Sequence, residues 1–321
     1  MTVKVLYIVG WKRSGSTVLG NLIGELPGFV HAGELRTLWG QGMLHGRLCG
    51  CGIPVGDCEF WSAVLASVAS TTEVNAEKFY GWQRDAIRMR YLRTLLSTHA
   101  PSGRSAMDEY ASVASSLYQA IAEVSGAGVV VDSSKQPADA ALLARLDVDP
   151  YFVHLVRDPR AVAHSWRRKK SSPGEGPRQE MMVVKPGRSS ASWLSVDLAA
   201  EFIRRRFAFD RSILVRYEDF VTDPRATLES ITRLVGMESI EVPDPREASF
   251  RLSRSHTAGG NPARFRVGPI ELRADDEWMW AQPRRDRIVA TLVSLPLLRR
   301  YGYPLRVPAL ERRPQEDVVG S

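Results

Sequence analysis

Cysteine, lysine and long apolar runs are all scarce in this 321-residue chain. The only cysteines are Cys49, Cys51 and Cys58, too few and too close together to staple a fold, so a disulfide scaffold is excluded. A chain of this length buries a sizeable core without such help. No uninterrupted apolar stretch approaches the roughly 20 residues of a membrane span. The opening segment MTVKVLYIVG is too short for a signal-peptide core and leads straight into a polar loop, so the expectation is a cytoplasmic protein with no membrane span. Disordered or fibrous composition is absent as well, since 44% hydrophobic and 25% charged residues describe an ordinary globular domain. There is no internal repeat.

What the chain has in surplus is arginine. Its formal charge is +7, with Arg far outnumbering Lys. That favours anionic partners, whether nucleotides, sulfated or phosphorylated molecules, nucleic acid or an acidic membrane face, without choosing among them.

Strand and helix signals alternate. Val3 to Val9 is a short apolar run closed by Gly10, as in a buried strand. Val18, Leu19, Leu22, Ile23 and Leu26 recur at helical spacing before Pro27 and Gly28. Tyr110, Val113, Leu117, Ile121 and Val124 mark a second amphipathic helix, which leads to a strand over Val129 to Val131 ending at Asp132. Further strands are predicted over Tyr151–Val156 and Ser212–Val215, each followed by a helical pattern. The alternation predicts an α/β fold, a P-loop-like central parallel sheet with helices on both faces. Ligands of such sheets sit beyond the carboxyl ends of the strands. Four segments follow strand ends and should gather on one edge: Gly10 to Thr17, Asp132 to Lys135, Arg157 to Arg160, and Arg216 to Asp219. Ser171 to Ser190 reads as a mobile surface loop. Residues 1–307 form one domain by this reading, and 308–321 a disordered C-terminal tail.

Gly10 to Thr17 fits the phosphate-loop pattern GxxxxGK[ST] everywhere except at the lysine, where Ser16 stands. Strand, glycine loop and helix N-terminus still make an anion site. Loss of the lysine, with Lys12 and Arg13 placed earlier, points to a ligand whose anionic groups differ from those of a nucleoside triphosphate. A P-loop kinase or NTPase is the rival reading; it would use Val129 to Asp132 as a magnesium-binding strand. A non-catalytic binder of sulfated or phosphorylated polymers would use the basic surplus alone and leaves the paired strand-end motifs unexplained.

Lys12-Arg13-Ser14-Gly15-Ser16-Thr17 resembles the 5′-phosphosulfate loop of sulfotransferases that use 3′-phosphoadenosine-5′-phosphosulfate (PAPS). Ala32-Gly33-Glu34 is similar to the Gly-Glu segment that follows it in the tyrosylprotein branch. Tyr151 to Arg160 followed by Ala161 to Ser165 resembles the family's 3′-phosphate motif, an Arg at a strand end and a Ser eight residues later. Val215 to Phe220 is similar to a strand-end segment whose tyrosine lies near the nucleotide, and Ser255 to Phe265 to a late Gly-rich loop of one bacterial branch. The resemblance spans residues 3 to about 304, in these islands. It implies that Lys12, Arg13, Ser14, Gly15, Ser16 and Thr17 hold the 5′-phosphosulfate and that Arg157 and Ser165 read the 3′-phosphate. It also implies Tyr217, Asn261 and Arg264 as nucleotide contacts, with 3′,5′-ADP (PAP) as the product.

Sulfuryl transfer needs cations around the transferring group and a base for the acceptor. Arg13 and Lys135 are the expected cations and Glu34 the expected base, with His31 as its rival. The acceptor would be a small molecule or glycan offering a hydroxyl or amine, with no role for nucleic acid. The pattern sets no oligomeric state. Cys49, Cys51 and Cys58, with His45 before them, could supply four soft ligands to zinc. Their spacing is not that of a standard knuckle and buried free thiols are common, so no metal is expected.

Overall fold

The computed structural model describes residues 2–95, 106–168, 183–247 and 250–307. Five parallel strands form one sheet: β1 (Lys4–Val9), β2 (Phe29–Gly33), β3 (Val129–Lys135), β4 (Asp149–Val156) and β5 (Ser212–Arg216). Their spatial order is β2-β3-β1-β4-β5. The helices are α1 (Ser16–Gly24), α2 (Glu59–Ala69), α3 (Ala76–Ala86), α4 (Leu92–Leu95), α5 (Ala106–Ser125) and α6 (Pro137–Leu142). They continue with α7 (Pro159–Arg167), α8 (Pro186–Phe207), α9 (Tyr217–Thr222), α10 (Pro224–Leu234), α11 (Trp278–Ala281) and α12 (Arg284–Arg300).

The period-2 geometry of a strand divides the core in two. Val5, Tyr7 and Val9 of β1 face one layer, built with α2, α3, α5 and α6. Leu6 and Ile8 face the other, built with α1, α9 and α10. Strands buried on both faces read as continuous apolar runs, which is why β1, β3 and β4 were legible. Local chemistry sets several helix starts. Asp158 and Asp223 accept the backbone N–H of Arg160 and Ala226, and Pro159 and Pro224 occupy the first turn.

Some expectations change. β2 has no counterpart in the sequence reading, because Phe29–Gly33 is short and polar at His31. β3 runs through Lys135 instead of ending at Asp132, since Asp132 and Lys135 both pair with β1 across an irregularity at Ser133 and Ser134. Of the predicted loop from Ser171 to Ser190, residues 171–182 lie outside the described residues, and Pro186 to Ser190 form the start of α8. The predicted tail, 308–321, also lies outside them. Among the described residues no helix is long and apolar enough to cross a membrane.

Candidate active site

Parallel register brings the four strand-end segments to one edge. Val9 pairs with both Lys135 and His154, and Val156 with Arg216, so Gly10, Lys135, Arg157 and Tyr217 follow from neighbouring positions. Between them opens a cavity of about 780 Å³, within the range of small-ligand sites. Lys12, Arg13, Gly15, Ser16 and Thr17 form its floor, and Glu34, Lys135, Arg157, Ser165, Tyr217 and Asn261 its walls.

The loop after β1 starts with the Gly10 N–H donating to Lys135 O (3.2 Å), which fastens it to the end of β3. Arg13 and Lys135 both adopt left-handed backbone (φ 73° and 71°), a costly conformation for residues with a Cβ. These are the two cations expected to act on the transferring group. Arg13 lies over the Trp166 ring at 5.1 Å. Burial lowers its pKa, and the nearby positive charges of Arg168 and Arg157 lower it further. Burial likewise lowers Lys12, with Lys135, Arg36 and Arg13 adding to the effect and Glu34 opposing it. Cations crowded this way favour an anion between them.

Lys135 Nζ donates to Ser133 O (2.9 Å) and to Glu34 Oε1 (2.5 Å), and both side chains are largely buried. Glu34 follows Gly33, whose φ of 84° turns the chain out of β2, and a Cβ at Gly33 would lie 2.7 Å from Ala258 N. The Glu34 N–H in turn donates to Ala258 O (2.7 Å). Glu34 does precede a short helical turn, Leu35–Thr37, but its side chain does not cap it.

Arg157 donates to Arg13 O (3.0 Å), stacks on the Tyr217 ring (4.4 Å) and pairs with Asp275 (2.9 Å). Ser165, on α7, reaches the same wall. Arg168 binds the same Asp275 carboxylate oxygen (2.8 Å). Asp275 thus holds two guanidiniums beside the wall where the resemblance places the 3′-phosphate.

Two expected contacts are not on the wall. Ser14, within the loop, is buried and does not line the cavity. Arg264 is 2% exposed and turns inward, where it donates to Gly260 O (2.6 Å) and Leu48 O (3.4 Å) and lies over the Phe265 ring. It braces the late loop from within, because Pro262–Phe265 forms a 3₁₀ turn that aims position 264 at the interior. Asn261 does line the cavity, while its Oδ1 accepts the Ala263 N–H.

His31 is also away from the wall. The Asn21 amide donates to Ala263 O (3.1 Å), which leaves its Oδ1 to accept from His31 Nδ1 (3.1 Å). His31 Nε2 then accepts from Ser133 Oγ (3.0 Å). Burial, and secondarily the charge of Lys135, lower its pKa to about 3. A ring locked and neutral in this way is a poor base at neutral pH. Asp132, the magnesium ligand of the rival reading, does not line the cavity; its oxygens accept from Tyr118 and Ser134.

Sequence reasoning missed Gln41, Arg47, Trp166, Arg266, Arg273 and Asp275 on the cavity wall. In a chain so rich in arginine, nothing local separates Arg47, Arg266 and Arg273 from surface residues.

The fold is similar to that of known proteins. The sulfotransferase domain of the Synechococcus PCC 7002 olefin synthase superposes with a TM-score of 0.53 at 19% identity, covering 92% of this chain and 94% of that one. The sulfotransferase domain from the curacin biosynthetic pathway gives 0.55 at 16% identity, covering 95% and 99%. At such identities the likeness is one of fold. A search of curated proteins found no match. The sulfotransferase family pattern matches residues 6–241, from β1 to just beyond α10, and so takes in the phosphate loop, Glu34, Lys135, Arg157 and Tyr217; the chain belongs to the sulfotransferase family.

Proposed function

We propose that this protein transfers a sulfuryl group from PAPS to a hydroxyl or amine of a small-molecule or glycan acceptor, without a metal in the chemical step. The observation that carries the reading is the convergence, on one cavity, of a P-loop-like segment lacking its lysine, a strand-end Arg157 beside Ser165, and the Glu34–Lys135 pair. PAPS supplies the sulfuryl group and a phosphate leaving group. Loop amides and Arg13 hold the 5′ end, and Arg157 and Ser165 hold the 3′-phosphate, with Arg157 exchanging Asp275 for the ligand. Tyr217 supports Arg157 through its ring face.

Glu34 takes the acceptor's proton as the acceptor atom bonds to sulfur. Lys135 and Arg13 meet the electron pair left on the phosphate oxygen as the old sulfur–oxygen bond breaks. Catalysis of this kind rests on positioning and electrostatics.

Thermal-shift measurements with PAP and with ATP–Mg²⁺ test the reading. PAP at 100 times its Kd should stabilise the protein by about 2.7 kcal/mol. Stabilisation by ATP–Mg²⁺ and none by PAP would overturn it in favour of a kinase.

A further inference from the structure

The three cysteines take no part in the cavity, yet the fold gathers them. Cys49, Cys51, Cys58 and His256 present four ligand atoms that all lie within 4.8 Å of one another. The Sγ atoms of Cys51 and Cys58 are 3.7 Å apart, and His256 Nδ1 lies 3.2 Å from Cys58 Sγ and 4.0 Å from Cys49 Sγ. A disulfide requires about 2.05 Å between sulfurs. A tetrahedral ion with bonds of about 2.3 Å to sulfur and 2.05 Å to nitrogen sets sulfur–sulfur edges of about 3.8 Å and sulfur–nitrogen edges of about 3.6 Å. The Cys51–Cys58 sulfur separation meets the first figure, and the two sulfur–nitrogen separations bracket the second. We propose that Cys49, Cys51, Cys58 and His256 bind one Zn²⁺ in a closed, structural Cys₃His site.

The donor chemistry selects the ion. Thiolates and an imidazole suit zinc and not magnesium or calcium, and four protein ligands leave no open position for a reacting water. The backbone prepares the site. Cys49 N–H donates to Ile53 O (2.7 Å) and Gly52 N–H to Cys49 O (2.9 Å), forming a tight turn that carries Cys51. Gly50 N–H donates to Thr257 O (3.0 Å), and a Cβ at Gly50 would lie 2.4 Å from Thr257 Oγ1. Only glycine between the first two cysteines lets this segment approach the loop that carries His256. Phe60 stacks on the His256 ring with centroids 5.1 Å apart, fixing its plane. His45, the nearby histidine in sequence, is exposed and is not part of the cluster.

The ion would join segment 49–58 to a loop 198 residues further along the chain. Two residues after His256, Ala258 donates to Ala32 O (2.8 Å) and accepts from Glu34 N. Gly260 and Asn261 then reach the cavity wall. On the proposed function, the zinc therefore holds part of the donor site in place from behind, without touching a ligand there.

Metal content tests the site independently of that function. The full chain, purified under reducing conditions with its affinity tag removed, should carry about one zinc per molecule by elemental analysis. Its X-ray absorption should show a shell of three sulfurs and one nitrogen. Cys51→Ser and His256→Ala should each lower zinc content about tenfold, while His256→Cys keeps it by supplying a fourth thiolate. Should the first two variants fail to fold, Co²⁺ exchanged into the unaltered protein should give thiolate-to-metal charge-transfer absorption, which oxygen and nitrogen donors lack. Zinc well below one per chain after reconstitution would overturn the proposal. So would zinc retained in the Cys51→Ser and His256→Ala double variant, or a single titratable thiol in denatured, unreduced protein, which would reveal a disulfide.

Discussion

The cavity has two kinds of wall. One consists of side chains at the ends of β1, β2, β3 and β4, set by the register of a parallel sheet whose backbone groups are paired with one another. The other, from Ser255 to Asp275, has little regular structure: a 3₁₀ turn, and a two-residue strand Gly268–Pro269 paired with Arg251–Leu252. Scattered polar links hold it: Ala258 to Ala32 and Glu34, Asn21 to Ala263, Arg264 to Leu48, and Arg157 and Arg168 to Asp275. A net hydrogen bond contributes about 1 kcal/mol, so such a wall yields piecemeal where the sheet edge yields only with the fold. Rigid elements carry the residues proposed for chemistry, and the adaptable wall borders the site for the nucleotide.

The largest test of that division falls on the rigid wall. Glu34→Gln keeps size and most hydrogen bonding but removes the base, so kcat should fall by about 10²–10⁴-fold with the PAP-induced melting shift preserved. A variant that keeps its activity would remove Glu34 from the chemistry. Arg157→Ala should come next. PAP binding should weaken by about 1.5–3 kcal/mol, and adenosine 5′-phosphosulfate, which lacks the 3′-phosphate, should bind almost as before. Equal losses for both would make Arg157 a support of the fold.

Acid should loosen the packing behind the two walls, because Asn21 joins His31 of β2 to Ala263 of the late loop. His31 has a pKa of about 3 in the fold against about 6.5 when unfolded. A depressed pKa means that its contribution is complete above about pH 6.5 and is lost as the pH falls toward 3. Between pH 6.5 and 5 the loss amounts to about 2 kcal/mol, read from urea unfolding as a slope that His31→Gln flattens. An unchanged slope in the variant would assign the acid sensitivity elsewhere. Arg264→Met should have the smallest effect on ligand. It removes interior braces worth about 1 kcal/mol each in stability, yet should weaken PAP by less than about 1 kcal/mol. A loss matching that of Arg157→Ala would place the Arg264 guanidinium on the nucleotide.

The sequence by itself determined four of the five strands of the sheet and one wall of the site. Buried strands announce themselves as apolar runs, and the groups that follow them in a parallel sheet must share an edge. Lys12 to Thr17, Lys135, Arg157 and Tyr217 were therefore legible as a set, and Glu34 through its resemblance. Tertiary structure alone decided the direction and neighbours of residues whose local pattern is ambiguous. It sent Arg264 inward and buried His31 between Asn21 and Ser133. It brought Arg47, Arg266 and Arg273 to the cavity, and set His256 in place of His45 beside the cysteines. Each of those outcomes depends on contacts between segments far apart in the chain, and periodicity over a few residues carries no record of them.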